Sequence, residues 1–418
     1  VSKLTRSYFF IFIAMVLGVL TGLSGQKHLV IAAGAISTIF INFLSMIAAP
    51  IVLLAILSTL LGMRGFDQMR TLGRKVITYT LLTTVLAALV ALGLFLVVNP
   101  VGGIQNVAET AVTAQSQSYL HFLVEIVPSN IMQAFMENKV ISIAFLGFLL
   151  GVTAHYLPEE QRKTLQSGFS ALFQLFLKIA GLITYIMPVA IWSCMTLLMQ
   201  EMQQQNSDVS SLWKYLAVVF LANIVQGIVI IPLLLKAKGL SPWRIAKGSG
   251  KALLIAFFTK SSNVALPVSL KCAKEELGVK SEVAHFTLPL CTVINMNGCA
   301  AFILTTVLFV AGIHGHVFSA LDLGFWVAMA VLAAVGNAGV PMGCFFLSSA
   351  FLISMDVPLT TMGLILPFYA ILDMVETSLN VWSDLSVTSI VDKECRESAL
   401  ELGLNEKEKT ALLKDGIL

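Results

Sequence analysis

Near its C-terminal end the chain reads FYAILDMVETSLNVWSD, which places Asp373, Glu376, Thr377, Asn380 and Asp384 inside an apolar run. At about 100° per residue, Asp373, Thr377, Asn380 and Asp384 fall within roughly 60° of one another on a helix, with Glu376 roughly 60° to one side of Asp373. One helix would carry three carboxylates and an amide along a single stripe. An ionisable group costs at least ~2.5–3.5 kcal/mol inside a bilayer, so such a stripe faces a polar interior and marks a functional site. The alternative, a soluble amphipathic helix with a wet face, conflicts with the apolar character of the rest of the chain.

Of the 418 residues, 57% are apolar and 12% charged, against ~25% charged in a soluble domain. Mean hydropathy is +0.88. Repeated apolar stretches of roughly 18 residues or more define an all-α polytopic membrane protein. The net charge of +3 is small, and no basic run carries interleaved aromatics, so nucleic acid is set aside as a partner. Cys194, Cys272, Cys291, Cys299, Cys344 and Cys395 form no CxxC pair. They read as buried free thiols, not as a disulfide framework or metal site. His314 and His316 sit close together but in a short loop. Residues 1–25 read as a full apolar span, not as a cleavable signal peptide.

Apolar spans are expected at about 7–25, 28–62, 76–99, 139–157, 168–199 and 213–235. An amphipathic piece, YLHFLVEIVPSNIMQAF, precedes the fourth. The loops between spans alternate basic and non-basic, which puts the N-terminus and the basic loops in the cytoplasm. Lys178 and Lys214 break the pattern and read as snorkelling or protein-facing. The alternation then fails twice. The run 252–270 has basic residues on both flanks and should dip in and return. After a crossing at about 283–312, the run 323–355 has no Lys or Arg on either side and should dip in from the opposite face. The helix carrying Asp373 then crosses inward, and a charged cytoplasmic tail follows.

Two re-entrant hairpins from opposite faces, each followed by a polar-centred crossing helix, make an inverted repeat. The tips are punctuated by SSNVALP and GNAGVPMG. The crossing helices are interrupted by CTVINMNGC in one and by the acidic stripe in the other. Non-helical backbone at membrane depth survives only where protein or an aqueous cavity satisfies it, and paired broken segments point to a transporter's substrate site. An ordinary bundle of ten crossings is the competing architecture. Hairpin tips offer N–H groups that suit a carboxylate. Unwound backbone around Asn295 offers carbonyls for a bare Na⁺, Asp384 a counter-charge, and Asp373 a partner for an ammonium group. A ligand with both an ammonium and a carboxylate is an amino acid. These residues point to a cation-coupled carrier of a zwitterion without naming the substrate. No HExxH or GxSxG motif and no His near the stripe support an enzyme. A channel filter is commonly built from symmetric copies of one loop, unlike two different hairpins.

The motifs FFTKSSNVALPVSL, FTLPLCTVINMNG, GNAGVPMG and DMVETSLNVWSD, in this order, resemble those of the dicarboxylate/amino acid:cation symporter family, the glutamate transporter fold. AAPIVLLAIL resembles its second helix and LVEIVPSNIMQAF its fourth, so the resemblance covers nearly the whole chain. It implies eight transmembrane helices, two re-entrant hairpins and an elevator-type homotrimer in the inner (plasma) membrane. Residues 1–251 would be mainly scaffold, with the third helix (76–99) joining the transport domain. Residues 252–392 would be the transport core and 393–418 a cytoplasmic tail. The substrate carboxylate would meet Ser261, Ser262 and Asn380, and its amino group Asp373, with Thr377 and Cys299 lining the pocket. One Na⁺ would be held at Cys291, Asn295, Asn380 and Asp384. A second would sit near Val293, Ala334, Val335 and Asn337. A third would lie near Thr80, Thr83, Thr84, Asn295 and Asn297. The second tip, with Gly339, Val340, Pro341 and Met342, would be the gate.

The departures from the family pattern are informative. Acidic-substrate members have Arg where this chain has Glu376. A second substrate carboxylate ~4 Å from Glu376 would meet ~4 kcal/mol of repulsion at an effective dielectric of ~20, about a thousandfold in affinity. Aspartate, glutamate and dicarboxylates are therefore not expected unless Glu376 is protonated. The family's NMDG acid is Asn297 here, so fewer coupled Na⁺ are expected. A family Thr is Cys299, and tip glycines are Met342 and Cys344. The pattern from Asp373 to Asp384 resembles the bacterial serine/threonine branch. The expectation is Na⁺-coupled symport of a small neutral amino acid, with Glu376 accepting from a side-chain hydroxyl or from Thr377. The alternatives are a cationic amino acid paired with Glu376, or a proton-coupled carrier with Glu376 as the proton site. A satisfied pocket-wall role for Glu376, with no ligand contact, also stays open.

Overall fold

The computed structural model describes residues 2–62, 70–101, 127–136, 140–205, 210–337 and 342–401, and among these the regular structure is all helical. That is what a lipid-facing chain dictates, because only a helix satisfies its own backbone groups within one segment. The gate residues Gly339, Val340 and Pro341, residues 119–126 of the amphipathic piece and residues 402–418 of the tail lie outside the described residues. Among the described residues, four helical stretches are long and apolar enough to cross a membrane: Leu72–Val98, Ser210–Ala237, Ser281–Ile313 and Thr361–Glu397.

The N-terminal helices are α1 (Ser2–Ser24), α2 (Lys27–Gly62) and α3 (Arg70–Val98), followed by α4 (Ile131–Met136) and α5 (Val140–Thr153). Helix α6 (Glu159–Gln205) packs along both α1 and α2. The α1 contact depends on small residues. A Cβ on Gly18 would lie 2.6 Å from the Met195 Cβ and 2.7 Å from the Trp192 carbonyl oxygen. Gly22 repeats the contact one turn on, the small-xxx-small spacing that lets two membrane helices approach closely. The approach brings the Gln200 amide within 2.6 Å of the Gly22 carbonyl and the Trp192 indole N–H within 3.1 Å of the Thr21 hydroxyl.

The sixth expected span is interrupted. Helix α7 (Ser210–Val225) runs into a π turn at Gln226–Ile230 before α8 (Ile231–Ala237). Such a turn widens the helix and frees a carbonyl. Here the Trp382 indole donates to the Gly227 carbonyl at 3.0 Å.

The first expected hairpin is α9 (Pro242–Thr259) followed by α10 (Ser262–Lys271), packed on each other. The break falls earlier than SSNVALP suggests. Lys260 is left-handed at φ 53° and Ser261 is the N-cap, so most of that motif is already helix. Helix α11 (Ser281–Ile294) ends at Asn295, and α12 (Asn297–Ile313) begins after Met296. Helices α13 (Ala320–Gly336) and α14 (Gly343–Ser354) both pack on α12 and meet edge to face through Trp326 and Phe351 at 5.5 Å. Helix α15 (Thr360–Glu401) then runs without a break through the acidic stripe. The expected symmetry of interrupted crossing helices is corrected here: the α11–α12 crossing is broken and α15 is not. Nothing in DMVETSLNVWSD forces a break, since it holds neither Gly nor Pro.

Helix α12 is the centre of the C-terminal core, buried on every side from Asn297 to Ala311. Tyr369 of α15 packs against Phe302 of α12 and Phe345 of α14, at ring distances of 4.8 and 5.2 Å. Tyr215 of α7 stacks on Phe309 at 4.4 Å, and its hydroxyl meets that of Thr306 at 2.7 Å. Helix α3 packs on α12, α7 and α13. At the far end of α15, Glu394 accepts from the Tyr79 hydroxyl and from Lys238 Nζ (2.8 Å), joining α3, the α8–α9 loop and α15.

Candidate functional site

The site assembles where the α11–α12 break meets the acidic stripe. Asn295 and Met296 leave helical geometry (φ −96°, ψ 73° and φ −110°, ψ 63°), which turns backbone groups and side chains toward α15. Asn295 donates from Nδ2 to Asp384 Oδ1 at 2.9 Å. Its Oδ1 accepts from the Thr83 hydroxyl of α3 at 3.0 Å and from the Ser383 hydroxyl at 3.3 Å. Asn297 accepts from the Thr84 hydroxyl at 3.0 Å and donates to Ser383 at 2.7 Å. The Thr80 hydroxyl is buried nearby without an oxygen or nitrogen hydrogen-bond partner among the described residues. Thr80, Thr83, Thr84, Asn295, Asn297 and Asp384 thus form one buried polar cluster with side-chain oxygens at its centre, the donor type a hard monovalent cation uses. Cys291 is fully buried one turn before the break, with its carbonyl accepting the Asn295 N–H at 2.8 Å.

Asn380 points its Oδ1 at the Gly298 N–H (2.9 Å) and its Nδ2 at Met296 Sδ and Cys299 Sγ (3.5 and 3.6 Å). Asp373 and Glu376 lie further along α15, 5% and 1% exposed. Among the described residues, Asp373 Oδ2 and both Glu376 carboxylate oxygens are buried without a hydrogen-bond partner. A buried polar atom left this way costs several kcal/mol unless a ligand, ion or proton satisfies it. Thr377 does not supply it: its hydroxyl donates back to the Asp373 carbonyl at 2.7 Å, which corrects the expected Thr377–Glu376 hydrogen bond. Ser261 caps α10, accepting from the Val264 N–H at 3.4 Å, and Ser262 is buried beside it. Ala334 and Asn337 are buried at the end of α13, while Val293 and Val335 are partly buried. Met342 opens α14 in a left-handed conformation, φ 61°, where the family pattern has the residue type that adopts it freely.

Cys299 and Cys344 correct the free-thiol expectation. Their sulfurs meet, with Cα atoms 5.4 Å apart, a spacing that suits a disulfide. Cys194, Cys272 and Cys291 are free thiols as expected and, like Cys395, which lies outside the Cys299–Cys344 pair, they are buried.

Three residues around the candidate site escaped the sequence. Gln226, on the π turn, donates to the Thr83 carbonyl at 3.0 Å and braces the polar cluster from behind. Ser383 bridges Asn295 and Asn297. Its adjacency to Asp384 was the available signal. Lys260, left-handed at the break between α9 and α10, puts a positive charge at the first tip. It lies within the run 252–270 expected to dip in and return, one residue before the expected tip SSNVALP.

Gly298 sets how closely α12 and α15 approach. A Cβ there would lie 2.8 Å from the Glu376 Cα and 2.9 Å from Asn223 Oδ1. Gly298→Ala is therefore expected to push the helices apart, at about 1–3 kcal/mol of stability. Thermal unfolding in detergent should show a lowered transition, with uptake lost before expression is.

Broken helices on one core, meeting around buried unpaired carboxylates and amides, define a membrane transporter. The sequence pattern of the sodium:dicarboxylate symporter family matches residues 8–394, and the chain belongs to that family, one of transporters and not enzymes. It is 26% identical to the proton/glutamate-aspartate symporter of Escherichia coli K12, over 92% of this chain and 91% of the relative. Identity to the proton/sodium-glutamate symport protein of Bacillus subtilis 168 is 24%, over 92% and 91%. Rabbit neutral amino acid transporter B(0) is 26% identical over 83% of this chain and 70% of its own length.

Proposed function

We propose that the chain is a secondary active transporter that carries a small neutral amino acid, serine- or threonine-like, together with Na⁺ by an elevator mechanism. The observation that carries this reading is Glu376, whose two carboxylate oxygens are buried without a partner on the same helix as Asp373. An acid at this position opposes a second substrate carboxylate, and an unpaired acid calls for a ligand that donates. Asp373 takes the substrate ammonium, Ser261, Ser262 and Asn380 its carboxylate, and Thr377 and Cys299 line the pocket. Na⁺ uses Cys291, Asn295, Asn380 and Asp384, with further positions at Val293, Ala334, Val335 and Asn337 and beside Thr80, Thr83, Thr84 and Asn297. Residues Gly339 to Met342 gate the site. The protein works as a homotrimer in the plasma (inner) membrane with both termini cytoplasmic. Eight spans and two re-entrant hairpins divide into a scaffold within 1–251 and a transport core at 252–392. The likeness to a relative named as a neutral amino acid transporter supports the neutral substrate.

Two buried acids on one helix, Glu376 with both oxygens and Asp373 with Oδ2 unpartnered among the described residues, also favour a second reading, a cationic amino acid whose side chain pairs with Glu376. Protonation of Glu376 would satisfy the same atoms and couple transport to H⁺. Competition uptake in proteoliposomes under an imposed Na⁺ gradient separates the three. With radiolabelled serine as tracer, threonine and alanine should compete and uptake should collapse without Na⁺. Stronger competition by arginine or lysine selects the cationic reading, and uptake driven by a proton gradient alone selects the third.

A further inference from the structure

We propose that Cys299, Cys344 and Glu376 form a binding site for a soft divalent cation, Zn²⁺ or Cd²⁺, which ties α12, α14 and α15 together and excludes the substrate. The three ligating atoms, two sulfurs and a carboxylate oxygen, lie within 4.8 Å of one another and all three residues are buried. They come from separate elements: the first turn of α12, the first turn of α14 and the middle of α15. Two thiolates and a carboxylate are a zinc donor set, and tetrahedral geometry leaves one position for a further donor.

The surroundings supply a second, independent indication. A disulfide between Cys299 and Cys344 accounts for the meeting of the sulfurs but leaves Glu376 beside them with both oxygens unsatisfied. A cation satisfies all three groups at once. Around the sulfurs, Asn337 Nδ2 lies 3.0 Å from Cys299 Sγ and 3.5 Å from Cys344 Sγ, and Asn380 Nδ2 lies 3.6 Å from Cys299 Sγ. Amide N–H groups directed at thiolates are the outer-shell contacts that stabilise their charge. Asn337 Oδ1 is itself buried without a partner. Rotating that amide would exchange its N–H contacts to the sulfurs for a fourth donor, an oxygen.

On binding, the two thiols release their protons to solvent, and two S–M bonds and one O–M bond form with no change of oxidation state. Because Cys299 and Glu376 belong to the proposed substrate pocket, the metal and the amino acid exclude one another. That part rests on the proposed function, whereas binding itself is read without it. The test uses the full-length protein in detergent, reduced and then freed of reductant. Titration with Cd²⁺ should give a thiolate-to-cadmium absorption band saturating at one equivalent, with Zn²⁺ displacing it. Cys344→Ser should abolish the band. Glu376→Gln should weaken binding, on the order of ten- to a hundredfold. Cys194→Ser and Cys272→Ser should leave it intact. In proteoliposomes Zn²⁺ should inhibit uptake in proportion to each variant's own metal-free rate, and excess substrate should relieve it. Absence of the band in reduced wild type, or its persistence in Cys344→Ser, overturns the site. Inhibition that substrate does not relieve, with the band intact, leaves the metal site standing and refutes the overlap with the pocket.

Discussion

Glu376→Gln should let aspartate compete with serine, where the native chain is expected to exclude it. The native carboxylate would oppose a second substrate carboxylate by ~4 kcal/mol at ~4 Å and an effective dielectric of ~20, about a thousandfold. Glu376→Gln removes that repulsion but adds no positive charge, so the expected gain in the aspartate-to-serine inhibition ratio is about ten- to a hundredfold. The substitution is close in volume and removes a desolvated, unpaired charge, so the fold should be unharmed or firmer. Serine affinity should change little if the substrate meets Glu376 only through a hydroxyl. An unchanged ratio would mean that Glu376 is already neutral or does not face the ligand. Loss of arginine or lysine competition in the same variant would identify Glu376 as a side-chain counter-ion.

Asp384→Asn should cost Na⁺ and not substrate recognition. Asp384 is 2% exposed and held by Asn295 at 2.9 Å. The amide keeps the shape and accepts the same hydrogen bond through its oxygen. What it loses is the charge, and a charge-assisted contact is worth about 1.5–3 kcal/mol. Half-saturation by Na⁺ should therefore rise roughly ten- to a hundred-and-fifty-fold. The stabilisation that Na⁺ gives in thermal unfolding should shift to correspondingly higher concentration. Asp373→Asn is the contrasting variant: Na⁺ stabilisation persists while serine affinity falls. A Na⁺ response unchanged in Asp384→Asn would remove this carboxylate from the ion site.

Much of this was legible in the sequence because a bilayer leaves few options. Apolar length gives the helices, and an acid at depth announces a site. The stripe from Asp373 to Asp384 could be read because its members share one helix, where spacing alone fixes the face. The break at Asn295 could be read from a polar Asn-Met-Asn cluster ending in Gly298. Contacts between elements were less accessible. The meeting of Cys299 with Cys344 joins residues 45 apart in sequence, and no local pattern encodes it. The π turn at Gln226 left no trace in an apolar run that reads as ordinary helix. The first tip lies earlier than SSNVALP suggests, because residues that favour turns also open helices. In fact Ser261 only caps α10, and Pro267 sits within that helix.

Helix α12 has a consequence for how this chain is free to drift. Each residue from Asn297 to Ala311 is buried, so the helix has no tolerant side, and the usual refuge of neutral change, an outward-facing position every third or fourth residue, does not exist along it. Substitutions there must exchange apolar groups of similar volume or be matched by a change in a neighbour. Descendants of this sequence can diversify at the rim of α3 or α9 one residue at a time, but along α12 they can move only in compensated pairs.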